Sequence, residues 1–152
     1  MSTCTEILLV EDDPGDVRLA LEVLRELHMA ERCVVVNDGE EAIDFLHARG
    51  AYSQRAPGMP RVIVLDLKMP RVDGFEFLEQ IKVDPRFKLI PVVVLTSSRE
   101  ERDVQRAYGL GVNSYAVKSI NFAEYRERLR TLVKYWADVN EQPVAAASLE
   151  NG

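Results

Sequence analysis

Four groups of reactive side chains follow directly on short apolar runs. Glu11, Asp12 and Asp13 come after Ile7-Leu8-Leu9-Val10, and Asp66 ends Val62-Ile63-Val64-Leu65. Thr96, Ser97 and Ser98 end Val92-Val93-Val94-Leu95, and Lys118 ends a weaker stretch over residues 113–118. If these runs lie side by side in a parallel sheet, their ends converge and Asp66 faces Glu11 and Asp12. Three carboxylates in one crevice repel, and without a cation some would hold protons as a coupled set. A hard divalent ion resolves the conflict. Mg2+ suits the donors, since it takes one or two carboxylates, a backbone carbonyl and waters and leaves a vertex for a phosphoryl oxygen. Lys118 would supply a point charge to a second phosphoryl oxygen and the Thr96 hydroxyl a hydrogen bond to a third. The chemistry such a set supports is acceptance of a phosphoryl group by a carboxylate.

The elements that must position these groups are legible from pattern. The apolar runs, with Val34-Val35-Val36 as another, are continuous rather than alternating, which marks strands buried on both faces of a parallel sheet. Between them lie stretches of helical period. Pro14 suits a first helical position with Asp13 as its N-cap, and Val17, Ala20, Leu21, Leu24 and His28 share a face. Asp38 with Glu41, Asp73 with Glu76, Ser98 with Glu101 and Asn121 with Glu124 have the spacing of capping boxes. The last helix is the longest, carrying Phe122, Tyr125, Leu129, Leu132, Val133 and Trp136 to about residue 140. A β-α unit repeated five times predicts an α/β fold, a doubly wound five-stranded parallel sheet. The right-handed crossover rule favours the flavodoxin-like order 2-1-3-4-5, (βα)5, with its switch point between the first and third strands. A Gly/Pro/polar loop over residues 49–60 precedes the third strand.

Composition excludes several classes of function. The chain has 152 residues, 47% of them apolar and 29% charged, which fits one globular domain and neither a disordered nor a fibrous chain. Its 19 Lys and Arg against 25 Asp and Glu give a net charge of −6, the wrong sign for a DNA-binding surface. No apolar run approaches the roughly 18 residues of a membrane helix, and no secretory signal is visible at the start. Cys4 and Cys33 have no metal-ligand spacing. These features predict a soluble, cytoplasmic protein.

The runs Leu9-Val10-Glu11-Asp12-Asp13, Leu65-Asp66-Leu67-Lys68-Met69-Pro70 with Asp73-Gly74, Leu95-Thr96-Ser97 and Tyr115-Ala116-Val117-Lys118 resemble the receiver domain of two-component response regulators. The resemblance covers about residues 5–140 and leaves 141–152 as a short C-terminal tail with no effector domain. It implies Asp66 as phosphoacceptor, Asp12 as a direct Mg2+ ligand, Glu11 as a ligand through water, and the backbone carbonyl of Lys68 completing the set. It further implies Thr96 as the switch hydroxyl, Lys118 as the phosphate-binding lysine and Tyr115 as the rotating aromatic. Asp44-Phe45-Leu46-His47 with the long loop, Ile90-Pro91 before the fourth strand, and Tyr135-Trp136 make the chain similar to single-domain regulators of bacterial phytochrome histidine kinases. Such a regulator would not be an enzyme beyond its own phosphorylation and dephosphorylation. It would meet a sensor histidine kinase on the first helix around Pro14, Val17, Arg18 and Leu21, and bind neither DNA nor membrane. A homodimer is expected through the fourth helix, fifth strand and fifth helix, where Tyr125, Leu132, Val133, Trp136 and Val139 form an apolar stripe.

One departure stands out. The family has proline after its lysine, joined by a cis bond, and here Ser119 follows Lys118. A cis bond before a non-proline residue costs about 2.5–4 kcal/mol, so the loop must hold that strain or go trans. This leaves room for a receiver-like interaction module that signals without phosphate. Two other classes compete on residues alone. An aspartyl-phosphate phosphatase of the haloacid-dehalogenase type needs an acid two residues after its nucleophile, where this chain has Lys68. A flavin carrier needs a hydroxyl- and glycine-rich loop after the first strand, where Glu11-Asp12-Asp13 repel phosphate. Blander roles suit other residues: His28 and His47 as helix-end histidines, Ser98 as a helix cap, and Arg126, Arg128 and Arg130 as a charged helix face rather than a nucleic-acid stripe.

Overall fold

The computed structural model describes residues 5–143. Cys4 and residues 144–152 of the expected tail lie outside them. Five parallel strands, β1 (Ile7–Val10), β2 (Cys33–Val36), β3 (Val62–Leu65), β4 (Val92–Thr96) and β5 (Ser114–Val117), form one sheet in the order β2-β1-β3-β4-β5. The expected α/β doubly wound topology is the observed one. Helices α1 (Pro14–Glu26), α2 (Gly39–His47), α3 (Gly74–Ile81), α4 (Glu101–Gly109) and α5 (Phe122–Lys134) alternate with the strands. All residues of β1, β3 and β4 are buried. Their continuous apolar sequence serves two cores, because successive side chains point to opposite faces. Leu8, Val10, Ile63 and Leu65 join Phe45, Phe77 and Phe87 under α2 and α3, while Ile7, Leu9, Val62 and Val64 meet Val23, Leu24, Tyr125 and Leu129 of α1 and α5.

The helix starts follow from caps. Asp13, Asp38, Asp73 and Asn121 each accept a hydrogen bond from the third helical amide, and Asp73 with Glu76 closes a full capping box. Glu41 does not close the box at α2. Its carboxylate takes the Asn37 amide at 3.0 Å and the Tyr52 hydroxyl at 2.5 Å, which draws the long loop onto the helix. Ser98 is not the cap of α4, which starts from Glu100 with no side-chain cap. The Ser98 hydroxyl instead donates to Asp103 at 2.5 Å and accepts from the Glu100 amide. The loop over residues 49–60 is fastened by Arg55. Its guanidinium donates to the carbonyls of Phe45, Leu46, Ala56 and Gly58 and lies 4.5 Å above the Phe45 ring.

The charged face of α5 finds partners: Arg126 and Arg130 reach across to Glu22 and Glu26 of α1 and tie α1 to α5, while Arg128 donates to the Val117 carbonyl. One further expectation needs correction. The last helix does not run on unchanged to residue 140, since regular α-helix ends at Lys134 and a π-helical turn, Tyr135–Val139, follows. Within the expected apolar stripe, Tyr125 and Val133 are core, and Leu132 and Trp136 pack on that core. The apolar groups that α5 and its extension expose are Phe122, Tyr135 and Val139. Every described peptide bond is trans, the Lys118–Ser119 bond included.

Phe77 is fully buried in the α2–α3 core, whereas Val83, in the turn after α3, is 79% exposed. Phe77→Ala should therefore lower unfolding free energy by about 3–5 kcal/mol. Val83→Ala should change it by no more than about 0.5 kcal/mol. Urea titration followed by circular dichroism checks both.

Candidate functional site at the strand ends

The sheet register sets the site. Val10 pairs with Leu65, so Glu11 and Asp66 leave neighbouring strands at the same level. The ladder continues for one further bond on each side: the Glu11 amide donates to Val36 O at 3.0 Å and the Asp66 amide to Val10 O at 3.0 Å. Across the sheet, Thr96 pairs with Val117, and the Lys118 amide donates to Thr96 O at 2.7 Å. Backbone pairing thus delivers an acid, an acid, a hydroxyl and a lysine to one edge before any side-chain interaction is counted.

One oxygen from each of Glu11, Asp12 and Asp66 lies within 4.8 Å of the others. Glu11 is 4% and Asp66 8% exposed, while Asp12 opens to solvent. Lys118 Nζ donates to Glu11 Oε1 at 2.5 Å and Asp16 Oδ2 at 2.8 Å, and stands 3.5 Å from Asp66 Oδ2. Lys68 has its amide 3.4 Å from Asp66 Oδ1, so its peptide borders the carboxylate while its side chain is exposed. Behind it, Gly74 lets α3 start directly beneath the loop, where an added Cβ would lie 2.6 Å from Asp66 O. Thr96 is fully buried, its hydroxyl 3.5 Å from the Ser98 amide. The Tyr115 hydroxyl donates to Ser98 O at 3.0 Å, so Tyr115 and Thr96 both meet the β4–α4 loop at Ser98.

The sequence analysis assigns no role to Asp16, although it stands in the first turn of α1, three residues past the acidic run Glu11-Asp12-Asp13.

Electrostatics at the site are strained in one direction. Burial and then the charge of Asp66 push the Glu11 carboxyl up to about 7, against the opposing pull of Lys118. Burial works against a charged Lys118, but hydrogen bonds to Asp16 and Glu11 and the charge of Asp66 outweigh it and hold the ammonium above lysine's ordinary value. Burial likewise raises the Tyr115 phenol. One ammonium therefore faces a surplus of carboxylates. A second cation is what this donor set lacks, and oxygen donors at this spacing fit a hard divalent ion.

Fold and site together define a protein class. The chain belongs to the response regulator receiver domain family, whose sequence profile matches residues 7–130. Its relatives include response regulator Rcp1 of Synechocystis, 40% identical over 139 residues, which are 91% of this chain and 93% of that protein. The probable methanogenesis regulatory protein FilR2 of Methanothrix harundinacea is 39% identical over 139 residues, 90% of this chain and 86% of that protein. Among solved structures, the phosphorylated cyanobacterial phytochrome response regulator RcpA matches with a TM-score of 0.85 at 38% identity, over 93% of this chain and 99% of that one. The Mn2+-bound form of Rcp1 matches with a TM-score of 0.84 at 39% identity, over 91% and 99%. The receiver family thus includes a close relative that holds a divalent metal. Among the described residues no helix is long and apolar enough to cross a membrane.

The raised Glu11 carboxyl gives a pH test. A proton binds Glu11 more tightly in the folded than in the unfolded chain, whose ordinary value is 4.5. Between about 4.5 and 7 the folded state therefore binds more protons, and without divalent cation stability falls as pH rises through that window. Glu11→Gln should be more stable than wild type at pH 8, and the difference should shrink towards pH 5. Melting curves in chelator at the two pH values check this.

Proposed function

We propose that this protein is a single-domain response regulator in which Asp66 accepts a phosphoryl group from the phosphohistidine of a sensor histidine kinase. The observation that carries the reading is one buried aspartate set against an acidic pair, with a lysine 3.5 Å away and a buried hydroxyl on the next strand end. Asp66 ends β3, one of the two strands that flank the switch point of the sheet, where ligands of this architecture bind. In the transfer, a bond forms from an Asp66 oxygen to phosphorus as the phosphorus–nitrogen bond breaks, its electron pair returning to the imidazole. Lys118 donates to one phosphoryl oxygen and the Thr96 hydroxyl to another, so their work is positioning and charge stabilisation. A Mg2+ ion held by Asp12, Asp66 and the Lys68 carbonyl, with Glu11 through a water, would supply charge neutralisation. Catalysis ends with the protein's own phosphorylation and dephosphorylation.

Thr96 and Tyr115 form the switch in this reading, with Ser98 between them. The receiver unit is taken as residues 5–140. Signalling then runs through protein contacts in the cytoplasm rather than through DNA or membrane. A groove of about 390 Å³ lined by Pro14, Val17, Arg18, Leu21 and Arg25 is the surface assigned to the kinase. The relatedness to RcpA and to bacteriophytochrome response regulators supports a bacterial phytochrome as that kinase. A homodimer through α4, β5 and α5 is the assigned output state, with exposed Phe122, Tyr135 and Val139 as its apolar contacts instead of the buried Tyr125 and Val133.

A phosphate-independent module is the second reading, favoured by Ser119 after Lys118 and by the capture of Lys118 by Asp16. Labelling decides between the two. With acetyl phosphate and Mg2+, wild type should gain one phosphoryl group by mass spectrometry and Asp66→Asn none. Labelling of Asp66→Asn at the wild-type level would refute Asp66 as acceptor, and no labelling of wild type would favour the second reading. The dimer has its own measurement. Sedimentation of wild type at tens of micromolar with beryllofluoride should give a dimer that Tyr135→Ala together with Val139→Ser weakens.

A further inference from the structure

The β3–α3 loop carries Lys68, and a residue pair that touches neither Asp66 nor Lys68 fixes where that loop runs. Asp38, the N-cap of α2, has a side chain only 3% exposed. Its Oδ1 accepts the Glu41 amide at 2.8 Å, and its Oδ2 accepts Arg71 Nε at 2.6 Å, with Arg71 Nη2 on the same oxygen. Glu40 stands 3.8 Å from the same guanidinium and adds a weaker contact. The two segments also meet through backbone. The Gly39 amide donates to Val72 O at 2.8 Å, and a Cβ on Gly39 would lie 2.5 Å from that oxygen. At the far end of the loop the Gly74 amide closes onto Leu67 O at 3.0 Å.

Arg71 is an odd residue for its place. Its φ of 59° lies in the left-handed region, where glycine sits without strain and a long side chain does not. A glycine there would suit the turn but would leave the buried Asp38 carboxylate without its cation. A buried charge that loses its partner is costly, so the pair and the turn stand together.

We propose that Arg71 and Asp38 are positioning residues for the divalent-cation site, their ion pair holding the β3–α3 loop so that the Lys68 carbonyl is presented before the cation arrives. The proposal rests on the reading that Asp12, Asp66 and the Lys68 carbonyl hold that cation. Outer contacts of this kind fix ligand geometry, and their loss commonly weakens metal affinity by about 10–100-fold. The Arg71 side chain is 61% exposed and therefore partly screened by solvent, which places the expected effect lower.

Mn2+ titration of the full chain, read from the free-ion signal by electron paramagnetic resonance, tests it. Arg71→Gly should raise Kd by about 3–10-fold. Asp38→Asn, which keeps a capping side chain, should do the same, and the double variant should be no weaker than either single one. Arg71→Lys should recover part of the loss. Metal-free melting midpoints well above the titration temperature in all variants separate this from global destabilisation. Wild-type affinity in Arg71→Gly and Asp38→Asn, beside a weakened Asp12→Asn, would overturn the clamp alone. Fully additive losses, or a loss in Arg71→Gly that Arg71→Lys leaves untouched, would also overturn it. Wild-type affinity in Asp12→Asn as well would show that the site reading had failed first, and the clamp with it.

Discussion

Glu11, Asp16 and Asp66 all turn on a single ammonium, Lys118 Nζ, while Asp12 adds a further carboxylate at the edge of the same crevice. This imbalance governs the site. Two carboxylates roughly 5 Å apart repel by about 3 kcal/mol at an effective dielectric near 20, so the sheet edge is held against electrostatic resistance. What holds it is the parallel ladder beneath. Val10 and Leu65 are fully buried and paired in register, and Glu11 and Asp66 are the next residues along each chain. Apolar burial below offsets repulsion above, an arrangement common where a site stores unfavourable charge for later use.

The same imbalance explains why the neighbouring loops are so firmly fastened. A cation that arrives between Asp12 and Asp66 gains most if its remaining ligands do not have to be ordered at that moment. Asp38, Arg71, Gly39 and Gly74 supply that order on the β3–α3 side, and Ser98, Asp103 and Tyr115 pin the β4–α4 loop on the other. The β3–α3 fastening is made by backbone closeness and a buried carboxylate. The β4–α4 fastening is made by hydroxyl hydrogen bonds of Ser98 and Tyr115.

Most of the frame was legible from sequence because it depends on period and caps. Continuous Val, Ile and Leu runs, together with Asp13, Asp38, Asp73 and Asn121 as helix starts, were enough to order the strands and bring Glu11, Asp12, Asp66, Thr96 and Lys118 to one edge. What escaped depends on contacts between distant segments. Asp16 reaching Lys118, Arg126 and Arg130 crossing to α1, and Arg71 reaching Asp38 are pairs 33 to 104 residues apart. Charged residues on a helical pattern look solvated until tertiary packing brings a partner. Ser98 departs from its expected capping role for a related reason: its spacing to Glu101 is right, but its hydroxyl is used by Asp103.

The central claim is that one divalent cation completes the charge balance of this edge on protein oxygens from β1 and β3. Anomalous diffraction from crystals grown with Mn2+ tests it most directly. A single strong peak is predicted in the crevice, in contact with carboxylate oxygens of Asp12 and Asp66 and with the Lys68 carbonyl, and with Glu11 beyond a bridging water. No peak there at saturating Mn2+, or a peak bound only by other residues, would contradict the account.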